Sequence, residues 1–378
     1  MMVLTIKHNL YCNARCDYCN VPEIGRFLKT MSDETVDKIV KNTEDFIQKS
    51  GIRRITVVFH GGEPLLAPDS FFQKVYESFE SSEILKDIDI TFTIQTNLTM
   101  YHEKEWPYLK KLLGDRPLVG TSYDPLSGAR KLANKLSYEE AFLKSYFKLL
   151  KENGTINFIY PVTKEAFGKE RQIYSFYKNL GVKSLTIKPV LDYDGMMDKD
   201  ELYSAKEYGE FLERLYQVWQ EDNYSICIEP FNGWTLKQKT GSGEQLTCYF
   251  SGKCSNKMFL VLPNGDIYEC CEYTRIREKP VGNIHKDSLY DIHIKRTQKI
   301  ESYYEVMESE TCQGCKWWEY CHGYCPIKTH GESSHEKHFF CESYLNFFEN
   351  VFKEPYSGEV KNITQLKEDI FKEAEEVV

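Results

Sequence analysis

No stretch of this sequence stays apolar for the ~20 residues that a membrane-spanning helix needs. Nor does Met1 lead into the apolar core of a secretory signal; a short strand-like segment follows it. Membrane insertion and export are therefore not expected, and the protein is expected in the cytoplasm. Positive charge is in short supply as well: 48 Lys and Arg stand against 57 Asp and Glu, for a net charge of −9. No basic stripe interrupts that balance, which argues against a nucleic-acid partner. With 41% hydrophobic and 28% charged residues there is little room for disorder. The 378 residues are long for one core and suit a large domain plus a smaller one. Cysteine is what the chain has in quantity, 13 in all, and in a reducing compartment such a number points to metal and not to disulfides.

Three of these cysteines, Cys12, Cys16 and Cys19, form a C-x3-C-x2-C motif close to the start. Their odd number and the very small loops between them exclude a disulfide framework. Three thiolates can hold a soft metal with one coordination position open. A [4Fe-4S] cluster wants four ligands, so an iron without a protein thiolate is a place where something else can bind. A zinc site, usually built from paired C-x2-C units, and three unrelated thiols are the other readings.

Downstream the chain alternates strand and helix. Ser32 reads as the N-cap of a helix with Asp33 and Glu34 in its first turn. Ile55 to Phe59 is a β-branched run expected as a parallel strand buried on both faces. It ends in His60-Gly61-Gly62-Glu63-Pro64, and ligands of parallel sheets collect at such carboxyl ends. The glycines let backbone approach a ligand, and Glu63 can accept hydrogen bonds from an ammonium group; by itself Gly-Gly-Glu-Pro is also an ordinary turn. Further strands are expected over 90–94, running into Gln95-Thr96-Asn97, and over 118–122, 156–160 and 183–188. Helices are expected near 70–79 and 104–113, from Ser137 to about 151, and up to Leu180 with Gly181 as its cap. About six βα units result, too few for a closed eight-unit barrel. Ser204 and Glu207 form a capping box opening a helix through Leu215 and Trp219, which reads as the link between two domains.

From Cys248 onward cysteines become dense. Cys254, Gly265 and Cys270 make C-x10-G-x4-C, and the segment 261–268 reads as a β-hairpin turning at Asn264-Gly265. Cys312, Cys315, Cys321 and Cys325 make C-x2-C-x5-C-x3-C, and Cys341 closes the series. A pair of zinc ribbons competes with iron-sulfur clusters here. Cys227 lies outside every pattern and reads as a buried thiol. The aromatic stretch 317–320 either packs around bound clusters or meets a peptide.

Cys12, Cys16 and Cys19 resemble the signature of the radical SAM superfamily, and the field from Cys248 to Cys341 resembles its SPASM extension. The resemblance implies an α/β fold, a partial (β/α)6 barrel with a C-terminal SPASM domain that binds two auxiliary iron-sulfur clusters. The expected boundaries are 1–200 for the barrel, 201–245 for a connecting helical segment, 246–345 for the SPASM domain and 346–378 for a helical tail. It also implies three [4Fe-4S] clusters and S-adenosylmethionine, whose cleavage at the open iron gives a 5′-deoxyadenosyl radical that takes hydrogen from a substrate. By motif, Cys248, Cys254, Cys270 and Cys325 would bind the first auxiliary cluster and Cys312, Cys315, Cys321 and Cys341 the second. Gly61, Gly62 and Glu63 would meet the methionyl amino group, Arg130 the methionyl carboxylate and Tyr18 the adenine. Gln95, Asn97 and Ser122 would face the barrel mouth, toward S-adenosylmethionine or the peptide. Read from the residues alone, these three are equally wetted strand ends, and Arg130 is equally a solvated surface arginine. Many relatives carry Gln where this chain has His60, which stays unassigned.

The whole chain resembles short SPASM enzymes typified by anaerobic sulfatase-maturating enzymes, which oxidise a cysteine or serine in a protein substrate to formylglycine. In those, the cysteine equivalent to Cys270 is followed by an aspartate that acts as base; here Cys271 follows, and then Glu272. A thiol is a poorer base but a good hydrogen-atom donor and a nucleophile, so Cys271 is the candidate catalytic residue, against the reading that it is an inert neighbour of a ligand. The expected activity is that of a radical SAM oxidoreductase that crosslinks, epimerises or oxidises a ribosomally made peptide or a protein. Sulfatase maturation is the alternative, and a non-catalytic iron-sulfur electron carrier or redox scaffold is the alternative from another class. Expected partners are the peptide or protein substrate and a flavodoxin or ferredoxin-type electron donor. No leader-binding domain is seen ahead of Cys12, so recognition is expected from the barrel mouth, the SPASM surface, the C-terminal helix near 361–378 or a separate leader-peptide-binding protein.

Overall fold

A computed structural model describes residues 1–19, 30–190, 202–254, 257–270, 279–326 and 337–360. In chain order its elements begin with β1 (Met2–Lys7), β2 (Ala14–Cys16), α1 (Asp33–Ser50), β3 (Arg54–His60), α2 (Asp69–Glu80), β4 (Asp89–Thr96) and α3 (Pro107–Leu113). There follow β5 (Leu118–Ser122), β6 (Arg130–Leu132), α4 (Tyr138–Lys151), β7 (Thr155–Val162), α5 (Glu170–Asn179), β8 (Ser184–Pro189), α6 (Ala205–Glu221), β9 (Cys227–Glu229) and α7 (Phe231–Thr240). The last are β10 (Met258–Val261), β11 (Asp266–Tyr268), β12 (Gly282–Asn283), α8 (Leu289–Val306), α9 (Trp318–Cys321) and α10 (Cys341–Phe347). Two compact units are formed, the first from 1–165, 188–202 and 255–299, the second from 166–187, 203–254 and 300–378.

In the first unit β1, β3, β4, β5 and β7 lie side by side and parallel, and β10 joins parallel on the far side of β1. The hairpin of β10 and β11 turns at Asn264-Gly265, where Gly265 holds a left-handed φ of 85°. The α1, α4 and α6 helices each begin at a serine whose hydroxyl caps the first turn. The Ser32 hydroxyl accepts the Thr35 N–H at 3.2 Å, and Gly51, with φ 68°, ends α1 by donating its N–H to the Ile47 carbonyl. Between them Val36, Ile39, Val40, Phe46 and Ile47 are buried. The third helix starts at Pro107 and not near 104, because proline suits a helix's first turn and the preceding Trp106 is held wholly buried.

The β3 strand departs from the expectation of burial on both faces. Ile55, Val57 and Phe59 are buried, and Phe59 meets Phe71 and Phe72 of α2 at 6.2 and 5.2 Å between ring centres. Thr56, Val58 and His60, on the other face, stay half-exposed. A run of β-branched residues signals a strand, yet hydrophobicity does not tell a helix-covered face from one that lines an open interior. The same alternation carries through β5, where Gly120 and Ser122 are half-exposed between buried Val119 and Thr121.

The second unit is built on aromatic side chains. Tyr216 of α6, Phe231 and Trp234 of α7 and Phe347 of α10 lie within 5.1–5.5 Å of one another along the chain Tyr216–Phe231, Phe231–Phe347 and Trp234–Phe347. Trp317 and Tyr320 are both 1% exposed, so these two aromatics of 317–320 pack inward. Cys227 is exposed, contrary to the expectation of a buried thiol: it opens β9 on the face opposite to buried Ile228. No described helix is long and apolar enough to cross a membrane.

Ser204 and Glu207 complete the expected capping box, the Ser204 hydroxyl accepting the Glu207 N–H at 3.2 Å and the Glu207 carboxylate accepting the Ser204 N–H at 2.7 Å. Ser204→Ala is predicted to lower the stability of the second unit by about 1 kcal/mol, read as a lower urea midpoint at unchanged slope.

Candidate functional site

The three early thiols sit on a loop at the carboxyl end of β1, and main-chain pairing holds that loop in place. Ala14 to Cys16 pair antiparallel with Arg130 to Leu132, the Asp17 N–H reaches the Ala129 carbonyl at 3.1 Å, and the Cys19 N–H reaches the Cys16 carbonyl at 3.0 Å. From β3, the Glu63 N–H donates to the Tyr11 carbonyl at 2.6 Å and the Gly62 N–H to the Asn9 carbonyl at 3.3 Å. A Cβ on Gly62 would run into the Tyr11 carbonyl oxygen, and one on Gly61 would come within 2.6 Å of the Asn9 carbonyl oxygen. The two glycines are thus required by the close approach of the chain's own backbone.

Glu63 is wholly buried. Its Oε1 accepts from Leu65 N–H at 2.9 Å and from the Thr96 hydroxyl at 2.6 Å, and its Oε2 accepts from Asn97 N–H at 2.8 Å. Burial pushes its pKa up to about 7 against the opposing pull of these hydrogen bonds. The Asn97 amide in turn donates to Asn13 Oδ1 at 2.8 Å and approaches the Cys12 sulfur at 3.7 Å. A single polar chain therefore runs from the end of β3 through the end of β4 to Cys12. Gln95 lies on the half-exposed face, its side-chain oxygen occupying the space where a Cβ of Gly120 on β5 would stand. Ser122 is half-exposed two residues further along β5.

Arg130 is no surface residue. Its side chain is 9% exposed, its Nε donates to Asp124 Oδ1, and its Nη1 donates to the Tyr138 hydroxyl at 3.2 Å. The Tyr18 hydroxyl donates to the same Asp124 oxygen at 2.5 Å, with the guanidinium 5.5 Å from the Tyr18 ring centre. Asp124, Asn13, Thr96 and Tyr138 are members of this site that spacing did not pick out; for Thr96, which ends β4, and Asp124, just past β5, the carboxyl end of a parallel strand was a usable signal. Burial pushes the Cys12 thiol up to about 11 and the Cys16 thiol up to about 12. Such thiols are neutral until a metal ion draws off their protons.

In the second unit Cys312, Cys315, Cys321 and Cys341 line one cavity, with Met307, Trp318, His338 and Tyr344. Burial pushes Cys312 up to about 11 and raises Cys321 and Cys341 as well, with neighbouring thiols of the set adding to each. Among the described residues no three His, Cys, Asp or Glu side chains converge tightly enough for one metal ion. Four thiols around one cavity suit a polynuclear group that gives each its own iron. Cys248, Cys254 and Cys325 of the same unit gather around Tyr304. Its hydroxyl is buried without a hydrogen-bond partner among the described residues, and burial first, with these three thiols adding, raises its pKa. An orphaned buried hydroxyl costs about 1–3 kcal/mol, and cluster sulfurs would accept its proton; the residues present fit an iron-sulfur group. Cys270 is buried in the first unit, two residues past β11. There Arg296 of α8 donates from Nη1 to the Glu269 carbonyl at 2.7 Å, fixing the backbone just before it. Cys271, Glu272 and the segment 361–378 lie outside the described residues.

Gly62→Ala is predicted to displace the Tyr11 carbonyl and cost one cluster's worth of iron, leaving the iron of the C-terminal cysteines in place; iron and sulfide analysis checks this. Glu63 binds its proton more tightly folded than unfolded, so its contribution to stability is complete below about 4.5 and is lost as pH rises through about 7. Glu63→Gln is predicted to remove that component from the pH dependence of urea unfolding. It also sets an amide donor against an N–H or hydroxyl donor, lowering stability by about 1–3 kcal/mol at pH 5.

Residues 6–167 match the Radical SAM superfamily and residues 248–316 match an iron-sulfur cluster-binding domain, SPASM. The chain is 27% identical over 365 residues to a cysteine-type anaerobic sulfatase-maturating enzyme of Clostridium perfringens, covering 90% of this chain and 93% of that enzyme. It is 24% identical to a serine-type anaerobic sulfatase-maturating enzyme of Bacteroides thetaiotaomicron, covering 90% and 86%. Among solved structures, native anSMEcpe with bound AdoMet and Cp18Cys peptide matches with a TM-score of 0.78 at 26% identity, covering 93% of this chain and 96% of that one. Streptococcus suis SuiB bound to precursor peptide SuiA shares the fold at a TM-score of 0.56 and 13% identity, covering 89% and 74%. The chain thus carries a Radical SAM region over 6–167, which holds the C-x3-C-x2-C loop, and a SPASM region over 248–316, and [4Fe-4S] clusters and S-adenosylmethionine are its cofactors.

Proposed function

We propose that this chain modifies a side chain or α-carbon of a peptide or protein substrate in the cytoplasm, by a crosslink, an epimerisation or an oxidation. The observation that carries the reading is the polar chain from Glu63 through Asn97 to Cys12, which fixes the thiol loop beside the half-exposed face bearing Gln95 and Ser122. When bound, the reduced cluster and S-adenosylmethionine supply a 5′-deoxyadenosyl radical. Cys12, Cys16 and Cys19 hold three irons in this reading and leave the fourth to the methionyl amino and carboxylate groups. The Arg130 Nη2, which takes no part in the bonds to Asp124 and Tyr138, is left for that carboxylate. Tyr18, fixed through its hydroxyl by Asp124, offers its ring face to the adenine. The Gly61-Gly62-Glu63 turn receives the ammonium, through its main-chain oxygens and the acceptor capacity that the Glu63 carboxylate keeps beyond its three hydrogen bonds.

Formylglycine formation is the second reading, favoured by the 90% coverage in the match to the cysteine-type enzyme. The cysteine at 271, where the resemblance would place the aspartate base, speaks for a different last step, with the Cys271 thiol returning a hydrogen atom or attacking the oxidised carbon. Electrons would come from a flavodoxin or ferredoxin-type donor.

Incubation under anaerobic conditions with dithionite and S-adenosylmethionine is predicted to yield 5′-deoxyadenosine. Cys12→Ala is predicted to abolish that yield while keeping the iron of the C-terminal cysteines. No 5′-deoxyadenosine from a fully loaded protein would leave the electron-carrier reading in its place. Cys271→Ala is predicted to slow product formation at least about 100-fold while 5′-deoxyadenosine still forms; turnover equal to the parent would remove Cys271 from the reaction.

A further inference from the structure

His338 is 5% exposed and lines the cavity of Cys312, Cys315, Cys321 and Cys341. Its ring packs in one triangular cluster with Tyr324 and Tyr344, whose ring centres are 4.5 and 5.5 Å from it and 5.5 Å from each other. Nε2 lies 3.8 Å from the Cys321 sulfur, and Nδ1 is buried without a hydrogen-bond partner among the described residues. A neutral imidazole carries one proton on one of its two nitrogens. On Nδ1 that proton would be a buried donor with nothing to receive it, at a cost of about 1–3 kcal/mol. On Nε2 it meets sulfur. The two tyrosine rings fix the orientation, so the proton is delivered to that one thiolate.

We infer that His338 is a positioning residue which donates an N–H···S hydrogen bond from Nε2 to the Cys321 thiolate and thereby raises the reduction potential of the cluster held by Cys312, Cys315, Cys321 and Cys341. The inference rests on the reading of these four thiols as one cluster's ligands. The physical basis is that reduction adds negative charge to the sulfurs, and a donor aimed at one of them stabilises the reduced form more than the oxidised form. Such a donor makes this cluster the easier one to reduce, and so the place where an electron released by substrate oxidation comes to rest. At the other cysteine set of this unit the Tyr304 hydroxyl lies among Cys248, Cys254 and Cys325, and no histidine is seen there among the described residues.

The test uses the full-length reconstituted protein carrying Cys12→Ala, which silences the first cluster, and follows the remaining EPR signals through a redox titration with iron counted per chain. His338→Leu is expected to keep its iron and to shift one midpoint negative by about tenfold in the reduction equilibrium, about 59 mV for a one-electron couple. His338→Gln, whose amide can still offer an N–H, is expected to recover part of that shift. An unchanged midpoint in the leucine variant with iron intact overturns the inference. Loss of one cluster's iron on His338→Leu overturns it in favour of direct ligation. Cys315→Ala is the control on the underlying reading: if it removes no iron, the cluster assignment itself falls, and the role of His338 falls with it for that separate reason.

Discussion

The close approach of Gly61 and Gly62 to the backbone of Asn9 and Tyr11 is the constraint on which the rest of the first unit depends. Three thiols have no attraction for one another, and as thiolates they repel, so their meeting has to be imposed by the main chain. The β1 and β3 strands run parallel in register from Met2↔Ile55 to Lys7↔His60, and the loops that leave them are pressed together at the same end. Only residues without a Cβ allow that contact. Glu63 then ties the junction to the end of β4, and β6 clamps the loop from the other side. The buried carboxyl, with a pKa near 7, stands where its charge is costly and where only three well-placed donors make it tolerable.

The second unit solves the same problem differently. Its thiols are spread over short helices and turns, and what holds these is a continuous aromatic packing from Tyr216 through Phe347 to Trp317. Of the buried polar groups of this unit without partners among the described residues, the Tyr304 hydroxyl and His338 Nδ1 sit beside the cysteines, while Trp234 Nε1 lies within the aromatic core. Orphaned polar atoms are rare in a settled interior, and sulfurs of an iron-sulfur group would give these two an acceptor.

The caps at Ser32, Ser137 and Ser204 were legible because capping is a local property of the chain, their partners lying three residues away. The parallel βα order was legible from β-branched runs alternating with amphipathic helices. What sequence could not supply were contacts between distant segments. The hydrogen bonds that Glu63 accepts from Thr96 and Asn97 are of this kind, since these residues are 33 and 34 positions away. Arg130 read equally as a surface residue because its partner Asp124 is reached only around the turn at Gly128, with φ 66°. The β3 run suggested two covered faces because apolar character does not reveal which face meets a helix. Cys227 was read as buried on residue type alone, whereas the alternation of a three-residue strand decides it. Tyr304 and His338 gave no signal at all, since the group that gives them meaning is not an amino acid.

The central claim is that one iron of the Cys12, Cys16 and Cys19 cluster is open to S-adenosylmethionine while the C-terminal thiols hold closed clusters. The most direct measurement is the EPR spectrum of the reduced protein before and after S-adenosylmethionine is added. The account predicts that one component of the spectrum changes shape on addition and that the others do not move. A spectrum that is the same with and without S-adenosylmethionine, in protein with its full complement of iron, would contradict it.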